Sequence, residues 1–251
     1  MSKRRSNAVK KDTTNTFYMK ESKTIDFQQA QPKLAKARKH IELIPKSVNQ
    51  ENYILALLDQ NTDVVVVSGP AGTGKTYLAM LSAIKAYRSG ECNHIILTRP
   101  AVSVDDEKHG FLPGDLTAKM EPWTRPLLDV LKEFYSMKEL TYMLEEQIIE
   151  IAPLAFMRGR TFKNCYIVLD EGQNATPAQL KMLLTRIGEN SKIIVTGDID
   201  QTDRKTSENG LLDLTNRLKK SEVEGIRCCE FTKKDVQRHK IIEKVLNLYA
   251  S

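Results

Sequence analysis

Residues 69–76 read Gly69-Pro70-Ala71-Gly72-Thr73-Gly74-Lys75-Thr76, which fits G-x-x-x-x-G-K-[ST] at every position. Val64-Val65-Val66-Val67, an apolar β-branched run of buried-strand type, stands before it, and a helical pattern runs from Tyr77 to Ile84 after it. Strand, glycine-rich turn and helix in that order leave few folds open. The glycines let the backbone turn tightly and aim successive N–H groups at one anion, and the helix N-terminus adds partial positive charge. Such a cradle suits phosphate. Lys75 is placed to reach the β- and γ-phosphates of a nucleoside triphosphate, and the Thr76 hydroxyl to take a position on Mg²⁺.

With 251 residues the chain has room for one sizeable α/β domain plus an appendage, or for two small domains. No window approaches the roughly 18 consecutive apolar residues of a membrane span, and the first residues lack the apolar core of a signal peptide. The four cysteines (Cys92, Cys165, Cys228, Cys229) form no C-x-x-C pair, and three lie in strand-like stretches. They read as reduced core residues of a cytoplasmic protein rather than as a zinc site. The net charge of +6 is unevenly placed: residues 1–47 hold twelve Lys/Arg against four Asp/Glu, and the rest hold 26 against 28. Residues 1–24 are polar and poor in large apolar side chains, which predicts a disordered basic arm with affinity for polyanions, or else a solubilising tail. Residues 25–47 read as a basic linker or helix.

Five apolar runs are expected as strands: Val64–Ser68, His94–Thr98, Cys165–Leu169, Lys192–Thr196 and Ile226–Phe231. Helical patterns cover Tyr77–Arg88, Pro177–Ile187, Gly210–Lys220 and Lys234–Tyr249. Near-continuous apolar strands alternating with helices predict an α/β fold with a parallel sheet covered on both faces. The interval of about 101–160 breaks the alternation. It opens as a Gly-, Pro- and charge-rich loop and continues as amphipathic helical sequence from about Leu116 to Glu150, an insertion on one nucleotide-binding core.

Tyr166-Ile167-Val168-Leu169-Asp170-Glu171 is an apolar strand ending in two adjacent acids. Neighbours on a strand point to opposite sides, but where the chain bends at the strand end both acids can face the crevice. One carboxylate is needed to hold Mg²⁺ through its waters and a second to polarise the attacking water. Asp170 suits the first role and Glu171 the second. A small-molecule kinase would not need the second acid, since a substrate hydroxyl is its nucleophile. A third element, Thr196-Gly197-Asp198-Ile199-Asp200-Gln201, ends another apolar run, and the Gln201 amide can sense the γ-phosphate and position the water.

In this order, the P-loop, Asp170-Glu171-x-Gln173 and Gly197-Asp198-x-x-Gln201 resemble motifs I, II and III of superfamily 1 helicases. Thr98-Arg99-Pro100-Ala101, Gly110-Phe111-Leu112-Pro113-Gly114-Asp115, Phe156-Met157-Arg158-Gly159-Arg160-Thr161-Phe162 and Asp235-Val236-Gln237-Arg238-His239 narrow the resemblance to the PhoH-like family of ATPases, from about Val48 to the C-terminus. The resemblance implies a RecA-like core with the motif III strand between the P-loop strand and the Asp-Glu strand. It also implies ATP hydrolysis, RNA or single-stranded nucleic acid as ligand, and a hexameric ring. Superfamily 1 helicases carry a second RecA-like domain that supplies an arginine finger. Here about fifty residues follow Gln201, so the finger is expected from a neighbouring subunit, with Arg238 as the first candidate. Gly172 departs from the family's expected Ala; both are small, and little consequence is expected.

Gln50 resembles the glutamine with which helicases read the adenine edge, its amide offering one donor and one acceptor; the alternative is a helix-surface residue. Arg99, Arg158 and Arg160 compete with Arg238 for the finger role or contact nucleic acid phosphates. Trp123, the only tryptophan, suits base stacking or an interface anchor. The leading expectation is an ATPase that translocates on, remodels or unwinds RNA or single-stranded nucleic acid. The alternative is an ATP-gated binding or scaffold protein with slow hydrolysis and no unwinding.

Overall fold

The computed structural model describes residues 39–100, 125–202 and 208–237. The basic arm of residues 1–24, most of the 25–47 segment, the 110–115 motif, Trp123, Arg238 and His239 lie outside the described residues.

Among the described residues, six strands make one sheet: β1 (Val64–Ser68), β2 (His94–Arg99), β3 (Ile149–Pro153), β4 (Cys165–Leu169), β5 (Lys192–Gly197) and β6 (Ile226–Glu230). Their order is β3-β2-β4-β5-β1-β6, and every described pairing is parallel. The motif III strand β5 thus lies between the P-loop strand β1 and the Asp-Glu strand β4, the order that the resemblance implied.

Strand residues alternate between two cores, as the period of two requires. Val65, Val67, Ile95, Leu97, Tyr166, Val168 and Ile194 face one side. There they meet α1 (Val48–Leu58), α2 (Lys75–Ser89), helical residues 125–132 (α3) and α4 (Met137–Glu145). Val64, Val66, Ile96, Ile167, Leu169, Ile193 and Val195 face the other side, against the turn Leu154–Met157, α5 (Pro177–Leu184) and α6 (Gly210–Lys220). A parallel sheet is stable in this form because both faces are covered.

The structure departs from the sequence expectation at three places. The 116–150 interval is not helical throughout: Ile149-Glu150-Ile151-Ala152-Pro153 forms β3 and pairs with β2. Only Glu150 breaks its apolar run, every residue of it is buried or half-buried, and five residues are too few to stand out beside a helical run. The helix expected from Lys234 does not start there, because Lys233–Asp235 is a single 3-10 turn and the Gln237 N–H donates to Gly72 O at 2.8 Å; the rest of that segment lies outside the described residues. Cys228 is not a core residue. It is exposed on the edge strand β6, while Cys92 and Cys165 are buried.

Asp235 fastens this last described segment to α1. Its Oδ2 accepts from Asn49 Nδ2 at 2.8 Å, Thr232 N at 2.7 Å and Thr232 Oγ1 at 3.0 Å. Burial alone would raise its pKa, but hydrogen bonds from Ser47, Asn49 and Thr232 outweigh burial and hold it at about 2. A depressed carboxylate pKa stabilises the fold above the unfolded value near 4, and that contribution is lost as pH falls through about 2. Asp235→Asn is therefore expected to cost about 2 kcal/mol at neutral pH, with the gap to wild type closing as pH falls from about 5 to about 2. Urea unfolding across that range measures it, and a gap that stays constant with pH contradicts the assignment.

Candidate nucleotide site

The P-loop joins β1 to α2 and is braced from several sides. Gly69 has φ +147°, and a Cβ there would stand 2.5 Å from Phe231 O, so only glycine fits under the strand end. The Gly69 N–H donates to Gly197 O at 3.2 Å. The Ala71 N–H donates to Asp198 Oδ2 at 3.1 Å, and Gly72 O accepts from the Gln237 N–H. Lys75 folds into the curl of its own loop, where Nζ donates to Gly69 O at 2.6 Å and Pro70 O at 2.8 Å. The first intrahelical bond of α2 runs from Leu78 N–H to Gly74 O at 2.9 Å. The N–H groups of Lys75 and Thr76 thus precede the first turn, where a helix presents its donors to an anion.

Gln50 sits on α1 but is buried, not on the helix surface. Its Nε2 donates to Thr73 O at 2.9 Å and its Oε1 accepts from Lys46 N–H at 2.7 Å. The amide therefore lies beside the P-loop with both ends engaged. Tyr53, three residues on, donates to Lys75 O at 3.3 Å and stacks edge-on against Phe231.

Asp170 follows the last residue of β4 and is buried. Thr76 Oγ1 donates to its Oδ1 at 2.7 Å, and Thr196 Oγ1, from β5, donates to the same oxygen at 2.6 Å. Arg99, the last residue of β2, donates to Oδ2 through Nε at 3.0 Å and through a closer Nη2. Thr76 spends its proton on Asp170, which leaves its lone pairs for a cation. A hydroxyl beside a carboxylate, with no cage of three or more His, Cys, Asp or Glu among the described residues, suits Mg²⁺, which keeps most of its waters.

The chain bends at Glu171, whose φ of 57° and ψ of 40° are left-handed. A non-glycine residue there stores about 1–3 kcal/mol, and strain of this kind persists where surrounding contacts over-determine it. Gln173 supplies such contacts. Its Nε2 donates to Glu171 Oε2 at 2.6 Å and to Gln201 O at 3.0 Å, and its Oε1 accepts from the Asp198 N–H at 3.0 Å. The Gln201 side chain itself is exposed and is positioned through its backbone.

The arginines divide. Arg99 is paired with Asp170 and Arg160 with both oxygens of Glu150, while Arg158 is exposed. Neither ion pair could be read from sequence, since the partners lie 71 and 10 residues away. Thr196, Asp198, Gln173 and Gln237 carry more of the site than the sequence reading assigned them. Thr196 and Asp198 flank Gly197 in the third motif, the one signal that pointed to them.

Strand order, phosphate loop and paired acids define a P-loop nucleotide-binding core. The PhoH-like protein family profile matches residues 42–250, and the chain belongs to that family. A PhoH-like protein of Synechocystis sp. is 47% identical over 86% of this chain and 65% of its own length. One from Bacillus subtilis is 46% identical over 81% of this chain and 63% of its own, and Protein PhoH of Escherichia coli 38% identical over 83% and 58%. The chain thus spans about three-fifths of the curated relatives it matches. Among solved structures, it superposes on the Sulfolobus solfataricus SWI2/SNF2 ATPase core in complex with dsDNA with TM-score 0.40 and 14% identity, over 64% of this chain and 34% of that one. The Pyrococcus furiosus Hef helicase domain gives TM-score 0.43 and 12% identity, over 75% and 38%. Both likenesses are distant. Among the described residues, no helix is long and apolar enough to cross a membrane.

Gly172 has more consequence than its size suggests. A Cβ there would lie 2.8 Å from Val195 Cγ1 and 3.2 Å from Thr196 O. Gly172→Ala is expected to cost about 1–3 kcal/mol through overpacking, and Val195→Ala in the same chain to restore part of it. Thermal unfolding of the single and double variants measures this; additive losses would show that the two sites do not touch.

Proposed function

We propose that this protein is a Mg²⁺-dependent ATPase that binds and remodels RNA or single-stranded nucleic acid. The observation that carries the reading is the bond from Thr76 of the P-loop to Asp170, with the adjacent Glu171 held by Gln173. Thr76 and Asp170 would hold Mg²⁺, which when bound offsets the charge on the phosphoryl oxygens. The chain's own groups do the rest. Loop N–H groups and Lys75 seat the phosphates, Glu171 orients and polarises the attacking water, and Gln173 keeps Glu171 facing the crevice. Gln201, tied to Gln173 through its backbone, would sense the γ-phosphate. Two acids support hydrolysis over transfer to a small-molecule hydroxyl, for which one would suffice.

Nucleic acid as the partner is supported by the basic excess of residues 1–47 and by family membership. The hexameric ring with Arg238 acting on a neighbour's ATP belongs to the same proposal. Gln237, the residue before Arg238, is bonded to the P-loop of its own chain, so mixing variants is the direct test. Arg238→Ala and Glu171→Gln subunits, each slow alone, should recover ATPase together if the arginine acts in trans. No recovery in rings shown to be mixed means that it does not.

Lys75→Ala should lose ATP binding. Glu171→Gln should bind ATP yet hydrolyse it roughly 10²–10⁴-fold more slowly, the usual worth of a positioned base. Turnover measured with and without single-stranded RNA tests the partner: stimulation with strand displacement supports remodelling, and slow turnover indifferent to RNA supports the scaffold alternative. Full turnover in Lys75→Ala would remove the nucleotide assignment itself.

A further inference from the structure

Asp170 has no acceptor position to spare. An ionised carboxylate offers about four lone-pair sites, two on each oxygen. On Oδ1 the hydroxyls of Thr76 and Thr196 take both, at 2.7 and 2.6 Å. On Oδ2 Arg99 takes both, through Nε and Nη2. A Mg²⁺ held at Thr76 keeps most of its water shell, and Asp170 must then accept a hydrogen bond from one of those waters. One present donor has to give way.

Thr76 need not, because a hydroxyl coordinating through a lone pair still has its proton to donate. Thr196 cannot, because it is fully buried on β5 between β4 and β1. Arg99 can. Its side chain is long, stands at the end of β2 and is 15% exposed, against 4% for Asp170. The strand order also sets where it can go. β2 lies three strand positions from β1, about 14 Å at the usual spacing, so a guanidinium turning off Asp170 swings away from the P-loop. It moves along the C-terminal edge of the sheet, the side on which open α/β sheets bind their ligands.

We propose that Arg99 is the donor that Mg²⁺-nucleotide displaces from Asp170, and that the displaced guanidinium takes a backbone phosphate of single-stranded nucleic acid. Nucleotide binding then adds one phosphate contact, which couples the two sites through one side chain. The second half of this proposal rests on the nucleic acid reading above; the first half does not.

Two measurements on the full chain test it. The first is the Mg²⁺ concentration giving half-maximal binding of a fluorescent, non-hydrolysable ATP analogue. Arg99→Gln, which removes the competing cation, should lower it by roughly tenfold, the scale of one charge-assisted contact. Arg99→Lys, which keeps the charge but loses the two-pronged grip, should fall between. An unchanged half-point overturns the competition. A raised one, with weaker analogue binding, would mean that Arg99 serves the nucleotide's own phosphates and overturns it too.

The second is the salt dependence of labelled oligouridine binding, followed by anisotropy with and without Mg²⁺ and the analogue. For wild type, the slope of log affinity against log salt should steepen by about 0.7 when the analogue is bound, the value for one single-strand phosphate. For Arg99→Gln the two slopes should coincide. Equal slopes in wild type overturn the phosphate half of the proposal. If wild type binds no oligouridine in either state, the nucleic acid reading fails with it, and the Mg²⁺ half-point still decides the first half.

Discussion

One buried carboxylate organises the crevice. Taking Asp170 out of water costs several kcal/mol unless its lone pairs are met, so its donors must arrive with it. They come from three separate elements: Thr76 from the P-loop, Thr196 from β5 and Arg99 from β2. The Asp170 N–H closes the corner by donating to Thr98 O at 3.0 Å. A one-residue slip of β4 against β2 or β5 would turn Asp170 to the other face and strand all three donors. Chemistry and register are thus enforced by the same bonds.

The P-loop depends on that corner and on others. A glycine-rich turn has much conformational entropy to lose, and here the loss is met by contacts from outside the loop. Gln50 reaches it from α1, Asp198 from the end of β5 and Gln237 from the segment after β6. Each binds a loop backbone group at Thr73, Ala71 or Gly72. Any shift of the loop on taking up phosphate would be felt at once by three distant parts of the chain. Asp235, tied to Ser47, Asn49 and Thr232, joins two of those parts to each other.

Local chemistry was legible in the sequence, and partnership was not. All five expected strands lie within a residue of where they form, the interior ones because buried parallel strands announce themselves as unbroken apolar runs. The edges behaved otherwise. β3 lies at the end of a stretch that reads as helical, and in β6 the apolar look of Cys228-Cys229 belongs to an edge strand exposed at Arg227, Cys228 and Glu230. In the site, the P-loop, Asp170 and Glu171 could be picked out because motif and spacing are both sequence properties. That Arg99 closes on Asp170, Arg160 on Glu150 and Gln50 on Thr73 depends on which strands and helices become neighbours. A cation in a motif reads as available for phosphate until its through-space partner is known.

The same logic explains the two glycines nearest the acids. A Cβ on Gly197 would stand 2.4 Å from Gln173 Oε1, and one on Gly172 would press into Val195. Their role is spatial: neither has a φ that demands glycine. Together they leave the channel through which Gln173 reaches from the second motif to the third. Gln173 in turn holds Glu171, the one residue of the site in a backbone state that its side chain disfavours. The left-handed turn costs about 1–3 kcal/mol, and bonds of Gln173 to Glu171, Gln201 and Asp198, worth about 1 kcal/mol each, are of the size needed to hold it. The backbone geometry at Glu171 is therefore a product of packing several residues away, and the missing methyl groups of Gly172 and Gly197 contribute to it.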